Sequence, residues 1–356
     1  MRQPFLFCIW LCQETFFTLH LAQSGKITIF APRCVQYRAN RLLTNLRLML
    51  GIIINPKSGK RRYRRQRLYL FKLLKHRHQP FTYKVTKYAG HATELAREFA
   101  EKGYDELLVL GGDGTLSEAV DGVMHANISD EKRREIALGL MPRGTGNDWG
   151  RFWGLTRDYR RSLDIFFNTG KKHPIDIGCL TLWRNGEAEK HYFINSVGFG
   201  VDAKTCQRAQ VMKYYVGSHG LNYLLGLLSA VFTHKSIPVE LTTDEGIKIS
   251  EPMFTMNIGN GPYSGGGIRQ NPDADPCDGV FHSMFVSRPT VKLILSAIPK
   301  LFNGRLKEIS FIQNFTAREI TLATNKHVMF EKDGILVDAC GPYKIEVLHH
   351  AIQFLA

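Results

Sequence analysis

The chain of 356 residues carries 47 Lys+Arg against 32 Asp+Glu, a formal charge of +15, with 44% hydrophobic and 22% charged residues. That balance excludes a disordered chain, predicts two packed domains, and favours polyanionic partners such as nucleotide phosphates, nucleic acid or an anionic membrane surface. The seven cysteines show no C-x-x-C spacing and no run approaches the roughly 20 apolar residues of a membrane span, so a disulfide framework, a zinc site and a spanning helix are not expected, and a reducing, cytoplasmic setting is.

Residues 1–48 fit poorly with the remainder of the chain. Phe5 to Leu11 has the apolar character of a short signal-peptide core behind Arg2, but Glu14 and the lack of a small-residue cleavage site oppose it. The segment is read as an extension outside the fold, with Met49 as the start of the folded part. Gly51 to Ile54 then reads as a buried strand ending in the turn Asn55-Pro56-Lys57-Ser58-Gly59. A basic helix comes next with Lys60, Arg61, Arg62, Arg64, Arg65 and Arg67, either a solvated face or a surface for anionic headgroups.

Phe81 to Thr86 is a second strand, and Gly90 to Lys102 a helix with Ala92, Leu95, Ala96 and Phe99 on one face. Leu107 to Leu110 is an apolar strand that runs into Gly111-Gly112-Asp113-Gly114-Thr115 and a helix through Leu116 and Ser117 to Met124. After a charged linker, Ser129 to Glu135, the strand Ile136 to Leu140 leads to the turn Pro142-Arg143-Gly144-Thr145-Gly146-Asn147-Asp148.

Alternation of strand and helix predicts an α/β fold: a parallel nucleotide-binding domain over 49–171, with its polar turns at the carboxyl edge of the sheet. Beyond a helix around Tyr159 to Phe167, the segments His191 to Val197, Met253 to Gly259, Gly279 to Val286, Glu319 to Ala323 and Ile335 to Val337 read as strands. They predict a mainly antiparallel β domain over 172–356, its last segment free to return to the first domain, with the active site in the cleft between the two. Leu221 to Phe232 and part of Val291 to Phe302 are apolar helices, read either as core or as the wall of a slot for an acyl chain.

Glycines after a strand let backbone N–H groups approach an anion at a helix start, so Gly111 to Thr115 reads as a phosphate turn. An acid in such a turn repels phosphate unless a cation intervenes, which makes Asp113 a Mg2+ partner or a base for a substrate hydroxyl; a helix cap is its plainer role. Glu118, one turn on, reaches the same space or solvent.

In this order and spacing, Asn55-Pro-x-Ser-Gly59, Gly111-Gly-Asp-Gly-Thr115 and Pro142-x-Gly-Thr-Gly-Asn-Asp148 with Arg151 resemble the diacylglycerol kinase catalytic-domain family, related to sphingosine and ceramide kinases. The glycine turn also occurs in NAD kinases, and the Gly-Thr-Gly-Asn-Asp turn points to the lipid branch.

The resemblance implies ATP, Mg2+ and transfer of the γ-phosphoryl group to a membrane-lipid hydroxyl, diacylglycerol-like or sphingoid-like. It implies nucleotide contacts at Asn55, Pro56, Lys57, Ser58, Gly59, Thr86, Gly111, Gly112, Asp113, Gly114, Thr115, Leu116, Ser117 and Thr145. Gly144, Gly146, Asn147, Asp148 and Arg151 would position the second turn. Asp333 or Asp113 would be the base; Asp333-Gly334 also reads as a plain hairpin turn.

Two departures stand out. The family's Asp-Gly-Glu is Asp333-Gly334-Ile335 here, and Cys277 interrupts the loop whose Asp275, Asp278 and Val280 carbonyl would hold a second Mg2+. The expected setting is the inner membrane face, on anionic lipid, with no nucleic-acid module and a homodimer left open. The alternatives are a NAD kinase-like enzyme for a soluble substrate, and a nucleotide- or membrane-binding relative without turnover.

Overall fold

The computed structural model describes residues 18–21, 27–30, 50–59, 63–216 and 221–356. Phe5 to Leu11, Lys60, Arg61 and Arg62 lie outside the described residues. Thr18–Leu21 and Ile27–Phe30 pair as an antiparallel hairpin within a unit, Met1–Met49, separate from Leu50–Ala356.

In the larger unit, β1 (Leu50–Ile54), α1 (Tyr63–His76), β2 (Phe81–Val85), α2 (His91–Glu101), β3 (Glu106–Gly111), α3 (Asp113–Met124), α4 (Asp130–Glu135) and β4 (Ala137–Pro142) succeed one another. The strands lie in the order β2-β1-β3-β4, all parallel. Every residue of β1 and β4 is buried, as a sheet covered by helices on both faces requires. The charged linker is a correction: Asp130–Glu135 is a helical turn, started by the Ser129 hydroxyl accepting the Lys132 N–H.

Next come α5 (Asp148–Phe152), α6 (Tyr159–Asp164), β5 (Lys172–Arg184), β6 (Glu187–Phe193), β7 (Ser196–Gly200), α7 (Val201–Val216) and α8 (Leu221–Thr233). The rest is β8 (Pro252–Gly259), β9 (Phe281–Ser287), α9 (Val291–Asn303), β10 (Ile312–Ala317), β11 (Glu319–Ala323), β12 (His327–Lys332), β13 (Ile335–Cys340) and β14 (Tyr343–Leu355), with three short strands between α8 and β8. Strands β10-β9-β8-β7-β12-β13 form an antiparallel sheet.

The predicted strand His191 to Val197 is in fact two strands, β6 and β7, broken at Ile194 and Asn195. Their N–H groups turn to the Asp333 carboxylate instead of to a neighbouring strand. The thirteen-residue β14 ties the two halves together: it pairs antiparallel with β5 and β11 and, at its end, parallel with β4.

A second tie is an ion pair between a buried lysine and a partly buried aspartate. Lys332 Nζ lies 3.0 Å from Asp121 Oδ1 and donates to the Tyr192 carbonyl, so α3, β6 and β12 meet on one charge. Removing one partner strands the other in a poorly solvated site. Lys332→Met is therefore expected to destabilise the chain by roughly 3 kcal/mol, read as a lowered urea midpoint with unchanged slope; a midpoint equal to wild type would refute the assignment.

Candidate active site

The three polar turns after β1, β3 and β4 meet backbone to backbone. A Cβ at Gly112 would fall 2.7 Å from Gly144 Cα, and one at Gly59, whose φ is +71°, would fall 2.3 Å from the Arg143 carbonyl oxygen. Only glycine permits either approach. Side chains lock the contact: Asn55 Nδ2 donates to Thr115 Oγ1 at 2.9 Å, and Asn55 Oδ1 accepts the Lys57 N–H at 2.9 Å. Thr86 sits beside the first turn through its N–H, which donates to the Ile54 carbonyl. Ser58 faces Gly112, while Lys57 and Thr145 are exposed at the rim. Asn147 takes a left-handed φ of +50° and donates through Nδ2 to the Gly144 carbonyl, closing the second turn.

Two of the predicted contact residues have buried side chains. Leu116 buries its side chain in the core and gives its N–H to the Gly112 carbonyl, and Ser117 is wholly buried with its hydroxyl against Asp333. Helical periodicity turns both inward, away from the open turn. Glu118 reaches neither the site nor solvent alone; its carboxylate accepts the Gly90 and Ala92 N–H groups and so starts α2.

Three acids converge at this edge. Asp113 accepts the Trp149 N–H at 3.2 Å, and Trp149 is fixed by an edge contact with Phe354 of β14. Burial, and then the charge of Asp148, push the Asp113 carboxyl up to about 7. Asp148 accepts the Gly266 N–H at 2.8 Å through Oδ2, while its Oδ1 is buried without a hydrogen-bond partner; burial raises its pKa as well. Oxygen donors with one orphaned buried atom, beside a turn built for anions, suit a hard dication such as Mg2+. Arg151 lies close enough to Asp148 to lower it and stands over Tyr263.

Asp333 and Gly334 both have positive φ, +48° and +81°, as a two-residue hairpin turn between β12 and β13 demands. The carboxylate points inward and accepts the N–H groups of Ile194, Asn195 and Ser196 at 2.9, 2.9 and 3.0 Å. Burial raises its pKa against the pull of those donors.

On the loop before β9, Asp275 accepts the Cys277 N–H, and Asp278 accepts the Val280 N–H and contacts His282 Nε2 at 3.1 Å. Both loop acids are thus turned onto their own backbone, and it is the Val280 N–H that meets Asp278.

Known proteins share this arrangement of turns and domains. Residues 49–180 match the diacylglycerol kinase catalytic domain, and residues 195–356 match the YegS C-terminal NAD kinase beta sandwich-like domain. A "probable lipid kinase YegS-like" of Cronobacter sakazakii is 30% identical over 65% of this chain and 72% of its own. The chain belongs to the diacylglycerol kinase catalytic-domain family of lipid kinases.

A diacylglycerol kinase of Mycobacterium tuberculosis is 28% identical over 79% of this chain and 86% of its own. In fold, a diacylglycerol kinase crystal structure from Bacillus anthracis covers 86% of this chain and 96% of its own with a TM-score of 0.63 at 22% identity. Yeast NADH kinase shares the fold at a TM-score of 0.51 and 12% identity, covering 87% and 83%.

For this member of the lipid kinase family, the structure adds an acid that motif reading passed over. Glu331 is buried two residues before Asp333, accepts the Gly334 N–H at 2.7 Å, and meets Asp202 around Gly198. Its only sequence signal was an acid at an inward position of a strand. Burial, then Asp202, push Glu331 from 4.5 up to about 8, and burial pushes Asp202 to about 6.

Gly112→Ala forces Gly144 away, costing about 1–3 kcal/mol, read as a lowered urea midpoint; a midpoint equal to wild type would argue against the backbone contact. Because the folded state keeps the Glu331 proton where the unfolded chain has lost it, stability should fall as pH rises from about 4.5 to about 8. Glu331→Gln should flatten that decline in urea midpoints taken across the window; an unaltered slope would count against it.

Proposed function

We propose that the chain is an ATP-dependent lipid kinase that transfers the γ-phosphoryl group to the hydroxyl of a long-chain membrane lipid. The observation that carries this reading is the loop Ser264–Gln270. At one end its Gly266 N–H holds Asp148; at the other, Gln270 bonds Asp202 and lines an apolar cavity walled by Leu227, Val231, Phe254, Met284, Ala297 and Leu301. A hydroxyl at the acid end and chains in the cavity match a lipid alcohol.

The exposed apolar side chains Leu225 and Phe232 of α8, and Val291, Leu293 and Leu295 of α9, support entry from a membrane surface. Arg64, Arg65, Leu68 and Tyr69 are exposed on α1, a mixed basic and apolar face suited to anionic lipid. Among the described residues no helix is long and apolar enough to cross a membrane.

In this reading the three glycine turns and the start of α3 hold the phosphates. Asp148, with Asp113 beside it, would hold Mg2+, which when bound neutralises phosphate charge. Asp113 receives the proton of the acceptor hydroxyl. Asp333, its oxygens committed to three N–H groups, positions the β6–β7 break that fronts the site. Phosphoryl transfer asks mainly for such positioning and charge complementarity.

The test is incubation with γ-labelled ATP and Mg2+ against anionic vesicles containing diacylglycerol, and separately against NAD. Label is expected in the lipid fraction; label in NAD instead, or in neither, contradicts the reading. Asp113→Asn should lower transfer by about 10²- to 10⁴-fold with ATP still bound, while Ala297→Trp, filling the cavity, should raise KM for the lipid and leave ATP affinity unchanged. Anionic vesicles should bind the chain better than neutral ones.

A further inference from the structure

Consecutive residues of a strand point to opposite faces of the sheet, yet His349 and His350 of β14 stack ring on ring at 3.6 Å between centroids. The cause is local. The β5–β14 register shifts between Leu348 and Ile352, and His350 takes a left-handed φ of +50°. A strained non-glycine backbone inside a bulge turns both imidazoles to one side.

There they meet Asp176, which is wholly buried. Its Oδ1 lies 2.8 Å from His349 Nδ1 and accepts the His350 N–H at 2.8 Å, and its Oδ2 accepts the Gly279 N–H at 2.7 Å. His350 Nε2 lies 3.4 Å from the Cys277 carbonyl. Asp176, His349 and His350 each present a donor atom within 4.8 Å of the other two, the one such group of three among the described residues. His349 is exposed, so an ion has a way in.

We infer that Asp176, His349 and His350 form a site for a transition-metal dication of the zinc class, apart from the acids at the glycine turns. Two imidazoles and one carboxylate suit zinc and its neighbours, whereas Mg2+ takes oxygen ligands. The buried carboxylate supplies the negative charge, and solvent or the Cys277 carbonyl completes the shell. Cysteine spacing gives no hint of such a site, because no thiol is among its three ligands.

The ion would pin the loop before β9 to β14. Asp176 already holds that loop through its own N–H to the Pro276 carbonyl. Asn260 Nδ2 donates to the carbonyls of both Asp176 and Ile194, and the Ile194 N–H donates to Asp333. The site is therefore two residues removed from the cradle of Asp333.

The experiment uses the untagged full-length chain, stripped with chelator and titrated calorimetrically with Zn2+ in excess Mg2+, with circular dichroism to confirm folding. Binding of about one Zn2+ per chain is expected, with a rise in Tm. His349→Ala with His350→Ala should weaken it by on the order of a hundredfold, and Asp113→Asn should leave it unchanged. His349→Gln, whose amide can still donate to Asp176, carries the comparison if the double variant fails to fold. A folded wild type that takes up no Zn2+ in excess Mg2+, or equal uptake by wild type and the histidine variants, overturns the inference whether or not the chain phosphorylates lipid.

Discussion

Two carboxylates side by side, the partly buried Asp113 and the buried Asp148, set the terms for the rest of the molecule. Neither has a salt-bridge partner among the described residues, and one oxygen of Asp148 has no hydrogen bond. Such a pair persists only by holding a proton or a cation, and the raised pKa of both acids expresses that conflict. The surrounding fold keeps them there. Gly112 and Gly144 bring two turns into backbone contact, Trp149 is wedged against Phe354, and Gly266 supplies an N–H from the other half of the chain.

The second half is organised around a different acid. Asp333 sits at a hairpin tip, yet its carboxylate faces inward and gathers three N–H groups where β6 gives way to β7. The residue after Gly334 is the apolar Ile335, and Glu331 puts an acid on the near side of the same hairpin, against Asp202. Carboxyl groups therefore run from the glycine turns to the polar end of the apolar cavity, where Asp202 and Gln270 stand. Acids toward the glycine turns and hydrocarbon around the cavity are the physical counterpart of an amphiphilic acceptor.

Much of this was legible in the chain itself. Continuous apolar runs named β1, β3 and β4, and the glycine positions named the turns, because both signals are local. Long-range contacts were not legible. Leu116 and Ser117 belong to the motif, but helical geometry sends them into the core. Nothing near His191 announces that the strand breaks at Ile194, since the cause is Asp333, far along the chain. Consecutive His349 and His350 would point to opposite faces of a regular strand, and only the bulge puts them together. The long strands β5 and β14 escaped as well, since each runs from one hydrophobic core to another and mixes two burial patterns.

The most direct test of the central claim is mass spectrometry of a total membrane-lipid extract after incubation with the chain, ATP and Mg2+, set against Asp113→Asn. The account predicts one class of long-chain lipid alcohol gaining a phosphate with wild type and not with the variant. No phosphorylated lipid from the folded wild type, or the same product from Asp113→Asn, would contradict it.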